Sequence, residues 1–207
     1  MYISPNRNLL YVTDTFTSTF EENPNPSHSF EHLSCFLPGL LALGAHTLKL
    51  DNIPSLGIPG VKSLTDLGNQ TTFGHGGRGY EVLSRFKSLK ELHMWAAEGL
   101  AQTCWLIYAD QPTGLGADSV IMDTIFVTGG MGEEIKKETK TLLWMDAVDK
   151  WRKGGRRGVV PGLAPKRPVI FNEKDEPSTR RAKRDYSIMD GRYLLRPEVS
   201  SGHEPLI

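Results

Sequence analysis

A carboxylate one residue beyond a proline is the first group in this chain with the makings of a catalyst. In Arg196-Pro197-Glu198, Pro197 suits the first position of a helix, where its missing N–H removes no hydrogen bond. Glu198 then falls in the first turn, near the positive end of the helix dipole, with the Arg196 guanidinium beside it. Both favour the ionised carboxylate, the state a general base needs. The same residues also suit an ordinary helix start with an exposed ion pair, and spacing alone does not choose between the two. His32, in Phe30-Glu31-His32-Leu33-Ser34-Cys35-Phe36-Leu37-Pro38-Gly39, is either a hydrogen-bonded structural histidine or a group in a substrate pocket. Asp118, at the end of Ala109-Asp110-Gln111-Pro112-Thr113-Gly114-Leu115-Gly116-Ala117-Asp118, is either a cap after a glycine-rich turn or an acidic site residue.

Elements have to hold these groups in place. Leu37 to Leu50 reads as a helix, with Pro38 in its first turn and an apolar face of Leu40, Leu41, Leu43 and Leu48. The clearest helix lies within residues 80–108, where Leu92, Ala96, Leu100 and Cys104 repeat every four residues, with Trp95, Ala101 and Tyr108 beside them. Leu9 to Thr13 is a short strand-like run. Residues 51–79 are rich in glycine and proline and read as an inserted loop. Lys150, Arg152, Lys153, Arg156, Arg157, Lys166 and Arg167 cluster among glycines and prolines, followed by Arg180-Arg181-Ala182-Lys183-Arg184. They read as a solvated basic insertion. Apolar helices joined by polar loops predict an all-α architecture with short extended pieces at the loop ends.

Composition narrows the function. The 207 residues carry 24 Lys+Arg against 24 Asp+Glu, so the formal net charge is zero. No nucleic-acid or membrane-surface footprint is therefore expected. No run approaches the roughly 20 apolar residues of a membrane span. Met1 to Arg7 has no apolar signal-peptide core. Cys35 and Cys104 are either two buried thiols or one disulfide. With the sequon Asn69-Gln70-Thr71, they suggest a secretory-pathway protein that carries no targeting segment of its own.

Three motifs together, Tyr193-Leu194-Leu195-Arg196-Pro197-Glu198, Phe30 to Gly39 and Ala109 to Asp118, resemble glycoside hydrolase family 47, the class I α-1,2-mannosidases (mannosyl-oligosaccharide 1,2-α-mannosidases). The resemblance implies part of an (α/α)7 barrel, incomplete, with long loop insertions. It implies a partial catalytic domain over residues 1–198, with insertions at about 51–79 and 129–185 and a non-family tail over 199–207. It implies Glu198 as general base, Asp118 as an acidic site residue where the family has Pro-Glu, and Arg196, His32 and Glu31 as substrate-binding residues. It also implies a Cys35–Cys104 disulfide. The activity implied is hydrolysis of terminal α-1,2-linked mannose from oligomannose N-glycans, with inversion and with Ca2+ on the sugar hydroxyls. No metal ligand is expected in this chain: the family's calcium-site threonine, its general-acid glutamate and a further catalytic aspartate fall outside the matched part. A truncated or mis-spliced form of a longer enzyme is expected, the parent residing in the endoplasmic reticulum or Golgi lumen or being secreted. The competing expectation is a catalytically inactive fragment that retains part of a mannose-binding pocket.

Overall fold

The computed structural model describes residues 1–16, 25–52, 54, 57, 88–128, 136–139, 142–172, 174–175 and 177–188. Its strands, in chain order, are β1 (Tyr2–Ile3), β2 (Leu10–Tyr11), β3 (Thr15–Phe16), β4 (Asn25–Pro26), β5 (Ser29–Glu31), β6 (Ser119–Met122), β7 (Ile125–Thr128), β8 (Lys136–Thr139), β9 (Leu142–Leu143) and β10 (Tyr186–Ile188). A 3-10 helix, His32–Phe36, leads directly into helix α1 (Leu37–Thr47). Helices α2 (Leu89–Ala109), α3 (Trp144–Lys153) and α4 (Pro177–Arg184) follow. The strands make two three-stranded antiparallel sheets, ordered β2-β1-β9 and β10-β6-β5, and two isolated antiparallel pairs, β3-β4 and β7-β8.

The described residues are therefore not clearly all-α. The expectation from helical periodicity overlooked runs such as Ser119-Val120-Ile121-Met122. Their alternate residues, Val120 and Met122, are buried while Ser119 and Ile121 are only half-buried, which is the period of a strand packed on one face. Such short segments find their hydrogen-bond partners far away in sequence: Tyr186 stands opposite Met122, and Phe30 opposite Val120.

Helix α2 is the centre of the fold. Ser88 caps its start, its hydroxyl accepting from the Glu91 backbone N–H at 3.0 Å, in a Ser-x-x-Glu sequence that favours a helix start. The predicted stripe of Leu92, Ala96, Leu100 and Cys104 is buried, whereas Ala101 is exposed. Helix α1 ends at Thr47 and packs on α2 through Pro38, Leu41 and Ala45. Leu40 and Leu43 of α1, and Leu48 just after it, are exposed instead of forming the predicted buried face, because among the described residues α1 is covered on its side toward α2. β2 crosses α2 at Gly99. A Cβ there would sit 2.7 Å from Leu10 Cδ2, so the glycine is what admits the strand.

The basic region is not simply solvated. Trp144 and Val148 of α3, then Leu163 and Tyr186, are buried, and Asp149 of α3 is buried beside them, while Asp146, Lys150 and Lys153 stay exposed. The Trp144 indole N–H donates to the Pro161 carbonyl at 2.9 Å. Lys166 donates to the Gly162 and Ala164 carbonyls at 2.7 and 3.0 Å, and burial together with the nearby Arg7 charge pushes its ammonium down to about 8. The glycine-rich loop expected over 51–79 lies almost wholly outside the described residues.

Two buried carboxylates join these parts. Asp110, directly after α2, pairs with Arg7 at 2.5 Å and accepts from the Val169 N–H at 2.8 Å and the Tyr186 hydroxyl at 3.2 Å. Burial and the Asp110 charge together push the Tyr186 phenol well above its ordinary range. Asp185 accepts from the Ser4 hydroxyl, the Asn6 and Arg7 backbone N–H groups and the Asn6 side-chain amide, at 2.6–2.8 Å.

Asp110→Ala leaves the Arg7 guanidinium without its carboxylate, with a side chain only 13% exposed. Urea unfolding is expected to show a loss of about 3–5 kcal/mol. A second expectation concerns His28, whose Nδ1 meets the Tyr11 hydroxyl at 2.8 Å between the Tyr2 and Tyr11 rings. Burial pushes this imidazole below its ordinary 6.5. The unfolded chain therefore takes up the proton first as pH falls, so stability is full above about pH 6.5 and declines as pH drops through the lower folded value. His28→Asn, which tolerates the positive φ of 57° there, is expected to flatten that part of the decline below about pH 6.5 in denaturant titrations.

Candidate active site

The site begins where β5 runs into the 3-10 helix. β5 pairs with β6 so that Glu31 stands opposite Ser119, the residue after Asp118. The backbone N–H of His32 donates to the Asp118 carbonyl at 2.8 Å. Strand pairing thus brings Glu31, His32 and Asp118 to one rim, although 118 and 32 are far apart in the chain. All three are exposed to solvent. The turn from α2 to β6 carries Gly114 at φ +71°, a left-handed conformation that glycine adopts without strain. It lets the chain double back after Asp110 and deliver Asp118 to β6.

Two cross-links then fix the 3-10 helix to α2. Cys35 and Cys104 form a disulfide with their Cα atoms 5.7 Å apart, an ordinary spacing for such a bond. One turn back along the 3-10 helix and one turn further along α2, the Tyr108 hydroxyl hydrogen-bonds His32 Nε2, and the two rings meet edge-on with centroids 5.6 Å apart. Tyr108 was not among the residues singled out from the sequence for chemistry. A signal was present: His32 lies three residues before Cys35, and Tyr108 four after Cys104. On two helices a disulfide between the cysteines makes the other pair the next rung.

Chemically, the rim offers two carboxylates, an imidazole and a phenol, all with open faces to water. That set donates and accepts hydrogen bonds, as the hydroxyls of a sugar require. Glu198 and Arg196 lie outside the described residues, so the structure does not place them beside this rim. Among the described residues no three His, Cys, Asp or Glu side chains converge as a metal cage would require.

Compared with known families, the sequence matches the model of glycosyl hydrolase family 47 over residues 2–201. The chain belongs to glycosyl hydrolase family 47. It is thus a glycosidase by family, with glycans as its substrates. No curated protein matches it, and no solved structure does either. No helix among the described residues is long and apolar enough to cross a membrane.

Replacing both cysteines by serine opens a cross-link spanning 69 residues. The expected cost is about 2–4 kcal/mol in the urea unfolding free energy. Adding reductant to the unmodified chain is expected to reproduce most of that loss, and to leave the double variant unchanged.

Proposed function

We propose that this chain takes part in hydrolysing terminal α-1,2-linked mannose from oligomannose N-glycans, with inversion at the anomeric carbon. The observation that carries the reading is the exposed rim of Glu31, His32 and Asp118 within a sequence that matches a glycosyl hydrolase family over nearly its full length. Glu31 and His32 bind sugar hydroxyls, Asp118 adds an acidic acceptor beside them, and Arg196 supplies a cation next to Glu198. Glu198 is the general base that activates water. Inversion separates the acid and base carboxyls by enough space for that water. The barrel proposed for this family, (α/α)7, is the frame in which helices such as α1 and α2 would lie side by side.

Ca2+ is proposed as cofactor from the family resemblance alone. Among the described residues no three His, Cys, Asp or Glu side chains converge, and no step is routed through the ion. The disulfide supports an oxidising compartment, and we place the protein in the secretory pathway, in the endoplasmic reticulum or Golgi lumen or beyond it.

A second reading has an observation in its favour. Glu31, His32 and Asp118 are open to water, which suits holding a glycan more than excluding solvent around a proton transfer. In that reading the chain is a catalytically inactive fragment that keeps part of a mannose pocket.

Glu198→Gln separates the two. If the chain is catalytic, this change is expected to cut mannose release by about 10²- to 10⁴-fold while oligomannose binding persists. Proton NMR of the fresh product is expected to show β-mannose first. Oligomannose binding by the unmodified chain with no release of mannose would establish the inactive-pocket reading instead.

A further inference from the structure

We propose that Tyr108 is a positioning residue that selects the tautomer and ring orientation of His32, so that His32 presents Nδ1–H to a sugar hydroxyl. This rests on the reading of the rim as a sugar site. It concerns a residue to which neither the family resemblance nor the sequence pattern assigns a role.

The inference begins with the bond between the Tyr108 hydroxyl and His32 Nε2. A neutral imidazole carries one N–H and one bare nitrogen, and the bare nitrogen is a stronger acceptor than a phenol oxygen. The favoured arrangement has Tyr108 donating and Nε2 accepting. The single ring proton then sits on Nδ1. Among the described residues Nδ1 has no hydrogen-bond partner, and the His32 side chain is exposed. Nδ1–H is therefore the donor available to a ligand.

Tyr108 is itself held. Gly116 lies against its ring, so that a Cβ there would come within 2.8 Å of Cε1, 2.9 Å of Cζ and 3.0 Å of Cδ1. No side chain larger than hydrogen fits between the turn and the ring unless the ring moves. The edge-on contact of the two rings limits rotation of the imidazole. The backbone N–H of His32 is bound to the Asp118 carbonyl, and Cys35 is bound to Cys104. Backbone and ring of His32 are thus fixed from separate directions, and the phenol fixes the proton. A group that only packed against the ring would leave the tautomer undecided, because ring contacts do not distinguish the two nitrogens.

The test reads the proton directly. Nitrogen-15 NMR of the ring nitrogens in the 207-residue chain is recorded at about pH 8, where an ordinary imidazole is neutral. The unmodified chain is expected to show a protonated Nδ1 and a bare Nε2 for His32. Tyr108→Phe keeps the ring packed on Gly116 and removes only the hydroxyl. His32 is then expected to shift toward the Nε2–H form that free imidazoles prefer, and affinity for α-1,2-linked mannobiose to fall about five-fold. Gly116→Ala, which pushes the ring aside, is expected to move the nitrogen shifts in the same direction. A protonated Nε2 in the unmodified chain overturns the proposal, as does a His32 spectrum indifferent to loss of the hydroxyl. If the tautomer responds but mannobiose binds to neither protein, the positioning role stands and the sugar-site reading falls.

Discussion

The pairing of Arg7 with Asp110 is the interaction on which the arrangement depends. Asp110 stands at the end of α2, and Arg7 in the turn between β1 and β2. The same carboxylate takes the Val169 N–H and the Tyr186 hydroxyl, so one buried charge holds the N-terminal turn, the segment after α3 and the edge strand β10. The guanidinium returns the favour by donating to the carbonyls of Arg184 and Arg167 at 3.1 and 2.9 Å. Burying two charges is costly, and the cost is offset only when every lone pair and proton has a partner. Here the partners come from four separate parts of the chain, and their meeting specifies one arrangement of those parts.

Asp185 extends the same logic by one residue. It sits at φ 67°, an uncommon conformation for a residue with a side chain, and takes four hydrogen bonds from Ser4, Asn6 and Arg7. A carboxylate so fully engaged can hold a local backbone strain of about 1–3 kcal/mol. The Ser4 hydroxyl that donates to Asp185 also accepts from the Leu9 N–H, which carries the network to the start of β2. Leu10, next in line, is then delivered to Gly99 on α2. Polar satisfaction and core packing thus act on the same few residues.

This frame explains why the candidate site is as well defined as it is. α2 is anchored at its end by Asp110, two residues after Tyr108. The disulfide and the Tyr108–His32 bond then transfer that rigidity to the 3-10 helix, and the β5–β6 pairing adds Glu31 and Asp118. Groups that must recognise a ligand benefit from such support, because each rotamer fixed in advance is one fewer to order on binding.

The sequence by itself determined the family through contiguous motifs, and determined helix α2 through its four-residue apolar repeat. Both are local patterns, fixed by the backbone geometry of a few turns. It also raised the Cys35–Cys104 bond and the candidacy of Glu31, His32 and Asp118, but through resemblance, since spacing alone left each of them open. Only the tertiary structure decided which residues of α1 are covered, that Trp144 and Tyr186 belong to the core, and that short segments such as Ser119–Met122 pair into sheets. Only the structure brought Arg7 to Asp110 and Tyr108 to His32, across separations of 103 and 76 residues. The physical reason is the same in each case: partners distant in sequence are chosen by the burial and hydrogen bonding of the whole chain, and no local period encodes them.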